Sequence, residues 1–164
     1  MCHFLGHSHL DAAWLWSFNE SKEVFHDTCE IILKLMEKYQ DLCFCQSSAQ
    51  YYKWLEEFPE TFEKVRRKVK EGCWEIVGGT WVEPDGNLPS GESLVRQFLF
   101  GKSYFREKFN VDVEVAWFPD SFGYAGMRSI RWASSRRNPF RHFFCFIFGS
   151  SFRSMHIFNS HTVN

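Results

Sequence analysis

The chain has 164 residues, of which 45% are hydrophobic and 24% charged, and its formal net charge is −1. This length and composition predict one globular domain with a substantial core. The longest strongly apolar run, Phe143 to Phe148, is far too short to span a membrane, and no signal peptide is recognisable. Six cysteines without a C-x-x-C pair favour reduced, buried thiols over a disulfide framework. We therefore expect neither a membrane nor a nucleic-acid partner.

The first strand is predicted from the apolar run Cys2 to Leu5, which Gly6 closes. Ser17 and Glu20 fit a capping box, and Pro59 is suited to open a later helix. Hydrophobic periodicity predicts strands at 2–5, 42–45, 73–77 and 113–118, and helices at 17–39, 51–58, 59–72 and 90–109. This β-α-β-α-β-α-β order predicts the α/β class, with parallel β/α repeats and right-handed crossovers.

Charge is distributed unevenly along the chain. All 20 acidic residues lie within 1–126, whereas residues 127–164 carry six Arg and no Lys, Asp or Glu. We therefore separate a β/α domain at 1–126 from a divergent basic, Phe-rich tail at 127–164. A basic surface helix is one explanation of the tail. A frameshifted or differently spliced ending explains the abrupt change of charge better.

Candidate metal ligands follow the first strand. In an extended segment His7, His9 and Asp11 would share one face, and an imidazole and a carboxylate two residues apart can chelate one divalent ion. Such a mixed N/O set suits zinc. Alternatively, His9 and Asp11 merely hydrogen-bond each other or cap the next helix. Asp120 follows the fourth predicted strand, so all these groups would meet at the carboxyl edge of the sheet, where such folds carry their chemistry.

Three segments resemble glycoside hydrolase family 38. They are GHSHLDAAWLW from Gly6, GGTWVEPDGNLPSGE from Gly78 and WFPDSFGY from Trp117. The resemblance implies the amino-terminal half of the family's catalytic domain, that is, the first part of a seven-stranded (β/α) barrel. It implies a zinc-dependent retaining α-mannosidase of the cytoplasmic type, which acts on α-mannose-containing oligosaccharides.

The resemblance also implies roles for individual residues. His9, Asp11 and Asp120 would be zinc ligands, and Asp120 would also be the catalytic nucleophile. Trp14 and Phe122 would line the sugar subsite, and Asp11 would contribute to substrate binding as well as to the metal. A flat aromatic face such as that of Trp14 suits the C–H surface of a sugar.

For other residues near the carboxyl edge of the predicted sheet, the sequence leaves both a functional and a structural interpretation open. His7 either orients a metal ligand or belongs simply to the strand end. Glu83 and Asp85 could hydrogen-bond sugar hydroxyls or support the ligands, although loop carboxylates are more often solvated. We assign Trp16 to the core and Trp14 to the site.

The sequence departs from the family after Gly126. The family takes its last zinc ligand, a His, and its acid/base carboxylate from further along the barrel, and neither can be placed in this chain. We therefore expect a truncated chain with little or no activity, and with an exposed apolar edge available for association. One alternative is a non-catalytic isoform or fragment that binds zinc or sugar weakly. Another, less favoured, is a zinc-dependent sugar deacetylase.

Overall fold

The computed structural model of the protein describes residues 5–123, so the domain boundary at 126 and the tail lie outside the described residues. Strands and helices alternate along the described part, as the periodicity predicts. In chain order they are β1 (Gly6–His7), α1 (Phe18–Lys38), β2 (Phe44–Gln46), α2 (Ala49–Leu55), α3 (Pro59–Glu71), β3 (Trp74–Ile76) and α4 (Gly91–Phe109).

The strands form one parallel sheet in the order β1-β2-β3, which confirms the predicted parallel β/α arrangement. Gly6 pairs with Phe44, and Cys45 pairs with Glu75, so the carboxyl ends of the strands reach a common edge. In the described part of the chain the first strand is Gly6–His7, whereas the predicted range is 2–5. Of the predicted range only Leu5 is described, and it is not in a strand.

The predicted fourth strand at 113–118 is wrong as a regular strand. In the described part of this range only Trp117 makes an isolated bridge. The segment nevertheless lies beside the sheet, because Gly78 donates its N–H to the carbonyl of Val115 at 2.8 Å. Gly78 and Gly79 have φ values of 81° and 69°, so the chain leaves the extended conformation directly after Val77. The third strand thus ends at Ile76, and the hydrogen bond from Gly78 to Val115 lies beyond its end.

Local signals place most helix ends correctly. Before α1 the Ser17 hydroxyl accepts from the Glu20 N–H, and the Glu20 carboxylate accepts from the Ser17 N–H at 2.7 Å, which confirms the capping box. Pro59 is the first residue of α3, and Gly72 follows that helix in the left-handed conformation. Ser90 caps α4.

The second helix is displaced from its predicted range of 51–58. It begins at Ala49 because the N–H groups of Ala49 and Gln50 donate to the carbonyls of Thr80 and Trp81, which satisfies donors that a helix start leaves free. The helix ends at Leu55. Pro59 disfavours helical geometry at Phe58, so a helix is not expected to run through that residue. A tertiary contact thus sets the start of this helix.

The core lies between the sheet and the helices, and α1 carries apolar residues on its buried and on its exposed side. The buried residues of α1 are Ser21, Phe25, Cys29, Leu33 and Met36. The large apolar residues of α1 that are exposed to solvent are Phe18, Val24, Ile31 and Leu35. Association through such exposed surface stays a prediction.

The four described cysteines form no disulfide, in agreement with the composition, although only Cys29 and Cys45 are buried. In the described part of the chain, no helix combines the length and the hydropathy that a membrane span requires.

Candidate functional site

Three side chains from two distant parts of the chain meet beyond the carboxyl ends of the strands. The Nε2 atom of His9 lies 3.4 Å from Asp11 Oδ1 and 3.4 Å from Asp120 Oδ2. One donor atom from each residue fits within a common span of 4.8 Å. The structure therefore brings together the three predicted metal ligands, and the direct His9–Asp11 contact belongs to this larger cluster.

The loop after β1 is held in place by two hydroxyl groups from neighbouring helices. Ser21, in α1, donates from its hydroxyl to the carbonyl of Asp11 at 2.8 Å and accepts from the indole N–H of Trp16 at 2.9 Å. Tyr51, in α2, donates from its hydroxyl to the carbonyl of Leu10. Because both contacts go to the backbone, they fix the path of the loop and leave the Asp11 carboxylate free to face His9.

Glu83 connects the two halves of the cluster. Its Oε2 atom lies 3.3 Å from His9 Nδ1, and its Oε1 atom accepts the backbone N–H of Asp120 at 2.7 Å. Its side chain is only 11% exposed. The sequence left this residue with two interpretations, and the structure places it against the ligands. Its position after β3, at the same edge as His9, was the available signal.

The charges of the cluster act on the His9 imidazole. The contact with Glu83 raises the pKa of His9 above its ordinary value of 6.5, although burial acts in the opposite direction. The negative charges of Asp11 and Asp120 raise this pKa further. The metal-free site thus attracts positive charge.

His7 does not join the cluster. Its ring packs against the indole of Trp117, with the ring centroids 5.1 Å apart. Burial, aided by nearby His9, lowers the pKa of His7 to about 4, so this imidazole is neutral at ordinary pH. Its Nε2 atom is buried without a hydrogen-bond partner among the described residues. The geometry thus favours the strand-end interpretation of His7.

An open cleft of about 410 Å³ surrounds the cluster. Trp14 and Phe122, both predicted to contact sugar, line this cleft with 65% and 62% of their surface exposed. Tyr51 also lines it, a residue that the sequence placed only as part of a helix. The assignment of Trp16 to the core is wrong, because this side chain is 40% exposed and its indole N–H is used to hold the loop.

The donor set fits a zinc ion. One imidazole nitrogen and two carboxylate oxygens converge, and zinc readily accepts nitrogen and oxygen donors of this kind. The second ring nitrogen of His9 faces a carboxylate, as it does in most histidines that bind metals. That these residues bind zinc stays a prediction.

Comparison with known proteins identifies the family. Residues 1–129 match the model of the glycosyl hydrolases family 38 N-terminal domain. The chain belongs to glycosyl hydrolase family 38. This match confirms the resemblance to family 38 that the three sequence motifs indicate.

Relatives in family 38 are named as α-mannosidases. The chain is 44% identical over 122 residues to alpha-mannosidase G of Dictyostelium discoideum, which covers 74% of this chain and 11% of the relative. It is 41% identical over 124 residues to human alpha-mannosidase 2C1, which covers 75% of this chain and 12% of that protein.

A solved structure extends this family 38 similarity to the fold. An alpha-mannosidase from Enterococcus faecalis V583 matches with a TM-score of 0.63 and 28% identity, over 71% of this chain and 13% of that one. The chain thus spans only about a tenth of the length of the curated relatives it matches.

Proposed function

We propose that this chain contributes to the catalytic domain of a zinc-dependent retaining α-mannosidase that hydrolyses α-mannosidic bonds in oligosaccharides. The convergence of His9, Asp11 and Asp120 in a family 38 chain is the observation that carries the proposal. The proposal includes the wider fold, in which the three strands begin a seven-stranded (β/α) barrel. It also includes a cytoplasmic location, with which the lack of a disulfide among the described cysteines agrees.

His9, Asp11 and Asp120 are the residues that would hold the metal. When bound, zinc would supply positive charge that keeps a neighbouring carboxylate ionised and orients sugar hydroxyls. The side chain of Asp120 is 51% exposed and lines the cleft, so a substrate carbon can approach it. The side chain of Asp11 is 36% exposed and lines the same cleft, within reach of a sugar hydroxyl.

Asp120 acts as the nucleophile in this proposal. Its carboxylate attacks the anomeric carbon of mannose while the bond from that carbon to the leaving oxygen breaks, and a glycosyl ester forms on Asp120. Water then attacks the same carbon, the bond from that carbon to Asp120 breaks, and the water gives up one proton to solvent. The sugar leaves and the carboxylate is restored. The backbone N–H of Asp120 is already bound to Glu83, so the attacking group starts from a fixed position.

The aromatic side chains at the cleft support sugar binding. Trp14 and Phe122 present large apolar surfaces that water now covers, and the C–H face of a pyranose would displace this water. The hydroxyl groups of the same sugar would remain available to the carboxylates.

Retaining hydrolysis also requires a carboxylic acid that protonates the leaving oxygen. The family motifs in this chain supply no such group, and the described carboxylate nearest to the ligands, Glu83, is occupied by His9 and the Asp120 backbone. We therefore propose that the 164-residue chain alone hydrolyses ordinary mannosides slowly or not at all.

A mannosyl fluoride with a second fluorine on the ring tests this proposal. Fluoride leaves without protonation, and the ring fluorine slows hydrolysis, so a glycosyl ester would accumulate even without an acid catalyst. We expect a zinc-dependent mass increase on the peptide that contains Asp120. Asp120→Asn should abolish the label, whereas Glu23→Gln, which neutralises an exposed carboxylate of α1 outside the cleft, should retain it.

Other outcomes favour the alternatives. A wild-type chain that binds zinc without being labelled refutes the nucleophile and supports a non-catalytic product. Release of acetate from N-acetylated sugars would indicate a deacetylase instead.

A further inference from the structure

The carboxylate of Glu83 uses both of its oxygen atoms on the cluster. Oε2 faces His9 Nδ1 at 3.3 Å. Oε1 accepts a hydrogen bond from the backbone N–H of Asp120 at 2.7 Å. The single proton of the Ser121 hydroxyl is shared between this oxygen, at 3.1 Å, and the carbonyl of Pro84, at 2.9 Å. Glu83 therefore joins the loop after β1 to the segment that carries Asp120. Among the described residues, no backbone hydrogen bond links these two segments directly.

The loop that carries Glu83 is itself fixed to two helices. The backbone N–H of the preceding residue, Val82, donates to the amide oxygen of Gln97 in α4 at 2.9 Å. One residue earlier, the indole N–H of Trp81 donates to Gln50 in α2 at 2.9 Å. Glu83 is thus presented from a rigid support, and little conformational freedom remains to be lost when a ligand binds.

We infer that Glu83 is a positioning residue that holds His9 in the tautomer able to bind a divalent cation and at the same time fixes the backbone of Asp120. This inference rests on the proposed zinc centre. With the proton on Nδ1, which lies 3.3 Å from Glu83 Oε2, the Nε2 lone pair would be available to a cation between Asp11 and Asp120. Outer carboxylates of this kind orient a histidine ligand and strengthen its donor atom.

The chemistry of an amide makes Glu83→Gln a sharp test. Glutamate offers two acceptor oxygens, whereas glutamine offers one acceptor and one donor group. If the glutamine oxygen keeps the Asp120 N–H, its NH₂ group faces His9 Nδ1 and favours the tautomer with the proton on Nε2, which blocks the metal. In the opposite orientation the NH₂ group faces the Asp120 N–H, and that donor loses its partner.

Zinc affinity of the full 164-residue chain is the first readout, measured by competition with a chromophoric chelator. We expect Glu83→Gln to weaken zinc binding by about 10- to 100-fold, the usual effect of losing an outer carboxylate. Glu23→Gln is the matched control, because it makes the same change of a carboxylate to an amide at an exposed position of α1 that does not line the cleft. Zinc affinity should then change less than about twofold, since exposed surface charges contribute little.

The tautomer of His9 in the metal-free chain is the second readout. If Glu83 only stabilised the fold, its substitution would not change this tautomer. Nitrogen-15 NMR at a pH where the ring is neutral distinguishes a proton on Nδ1 from one on Nε2. Without a metal, Asp11 and Asp120 can also accept a proton from Nε2, so the readout is a comparison between variants. We expect a larger fraction of Nε2–H in Glu83→Gln than in the wild type and in Glu23→Gln.

The outcomes separate this inference from the proposed function. If the wild type binds zinc and Glu83→Gln leaves both affinity and tautomer unchanged, the positioning role is refuted and the metal centre stands. If the wild type does not bind zinc, the metal centre fails and the inference fails with it. If circular dichroism shows that Glu83→Gln does not fold, the zinc affinity of Glu83→Asp is measured instead. Aspartate keeps two acceptors but is one methylene too short to reach both partners, so an undiminished affinity there overturns the role.

Discussion

The hydroxyl of Tyr52 lies at the centre of the core, and its removal gives a quantitative test of the fold. This residue has no exposed surface. Its hydroxyl accepts from the indole N–H of Trp74 at 3.0 Å and donates to the carbonyl of Gln46 at 3.2 Å, so it joins α2 to β2 and β3. In Tyr52→Phe the Gln46 carbonyl keeps the N–H of Val77, but the Trp74 indole N–H has no described replacement.

The expected cost follows from these contacts. A lost hydrogen bond contributes about 1 kcal/mol, and an unsatisfied buried donor costs about 1–3 kcal/mol, part of which is the same loss. We therefore expect Tyr52→Phe to lower the free energy of unfolding by about 2–3 kcal/mol, with an unchanged denaturant slope in urea titrations followed by circular dichroism.

Tyr104→Phe is the matched control for this experiment. It removes the same atom, but the Tyr104 hydroxyl donates to Glu56, whose side chain is 25% exposed, so water can replace the lost contact. We expect a loss below about 1 kcal/mol. Equal losses for the two variants, or a Tyr52→Phe loss below about 0.5 kcal/mol, would refute the reasoning from burial.

Two further predictions concern packing and pH. Gly101→Ala should destabilise the fold by about 1–3 kcal/mol in urea titrations, because its Cβ would lie 2.5 Å from the carbonyl oxygen of Gly79. Glu30→Gln should remove stability only above acidic pH, measured by urea titrations at several pH values. The hydrogen bond from Thr61 lowers the pKa of Glu30 below its ordinary value of 4.5, so the ionised form stabilises the fold above that pH and this contribution is lost as pH falls.

Each of these results can contradict the structure. If Gly101→Ala is neutral, α4 does not approach the loop at Gly79 closely. If the difference between the wild type and Glu30→Gln grows as pH falls, the carboxylate is not stabilised in the folded state.

Much of the fold could be predicted because its signals are local. The capping box at Ser17, Pro59 at the start of α3 and Gly72 at its end each act through neighbouring backbone atoms. The start of α2 and the fourth strand could not be predicted in this way. The first depends on carbonyls 31 residues away, at Thr80 and Trp81, and the second on the turn at Gly78.

The site likewise contains residues that the sequence predicted and residues that only the structure identified. The motifs placed His9 and Asp11 at the carboxyl edge of the sheet because they follow β1. Asp120 reaches the same edge after an irregular segment, which the hydrogen bond from Gly78 to Val115 holds beside the sheet. The contact of Glu83 with His9 and the exposed position of Trp16 could not be predicted, because they depend on how separate chain segments pack. A carboxylate in a polar loop has the same sequence signature whether water or an imidazole is its partner.

The sequence by itself determined the β/α order, the family and the three residues that face one another beyond the strands, since periodicity and motif spacing act over short ranges of chain. Only the tertiary structure decided which face of α1 is buried, since Phe25 and Ile31 are equally apolar and the packing of α1 against α2 and α3 buries only the first. It alone showed that one carboxylate, Glu83, joins the loop of His9 to the backbone of Asp120, because that contact depends on how three separate chain segments pack.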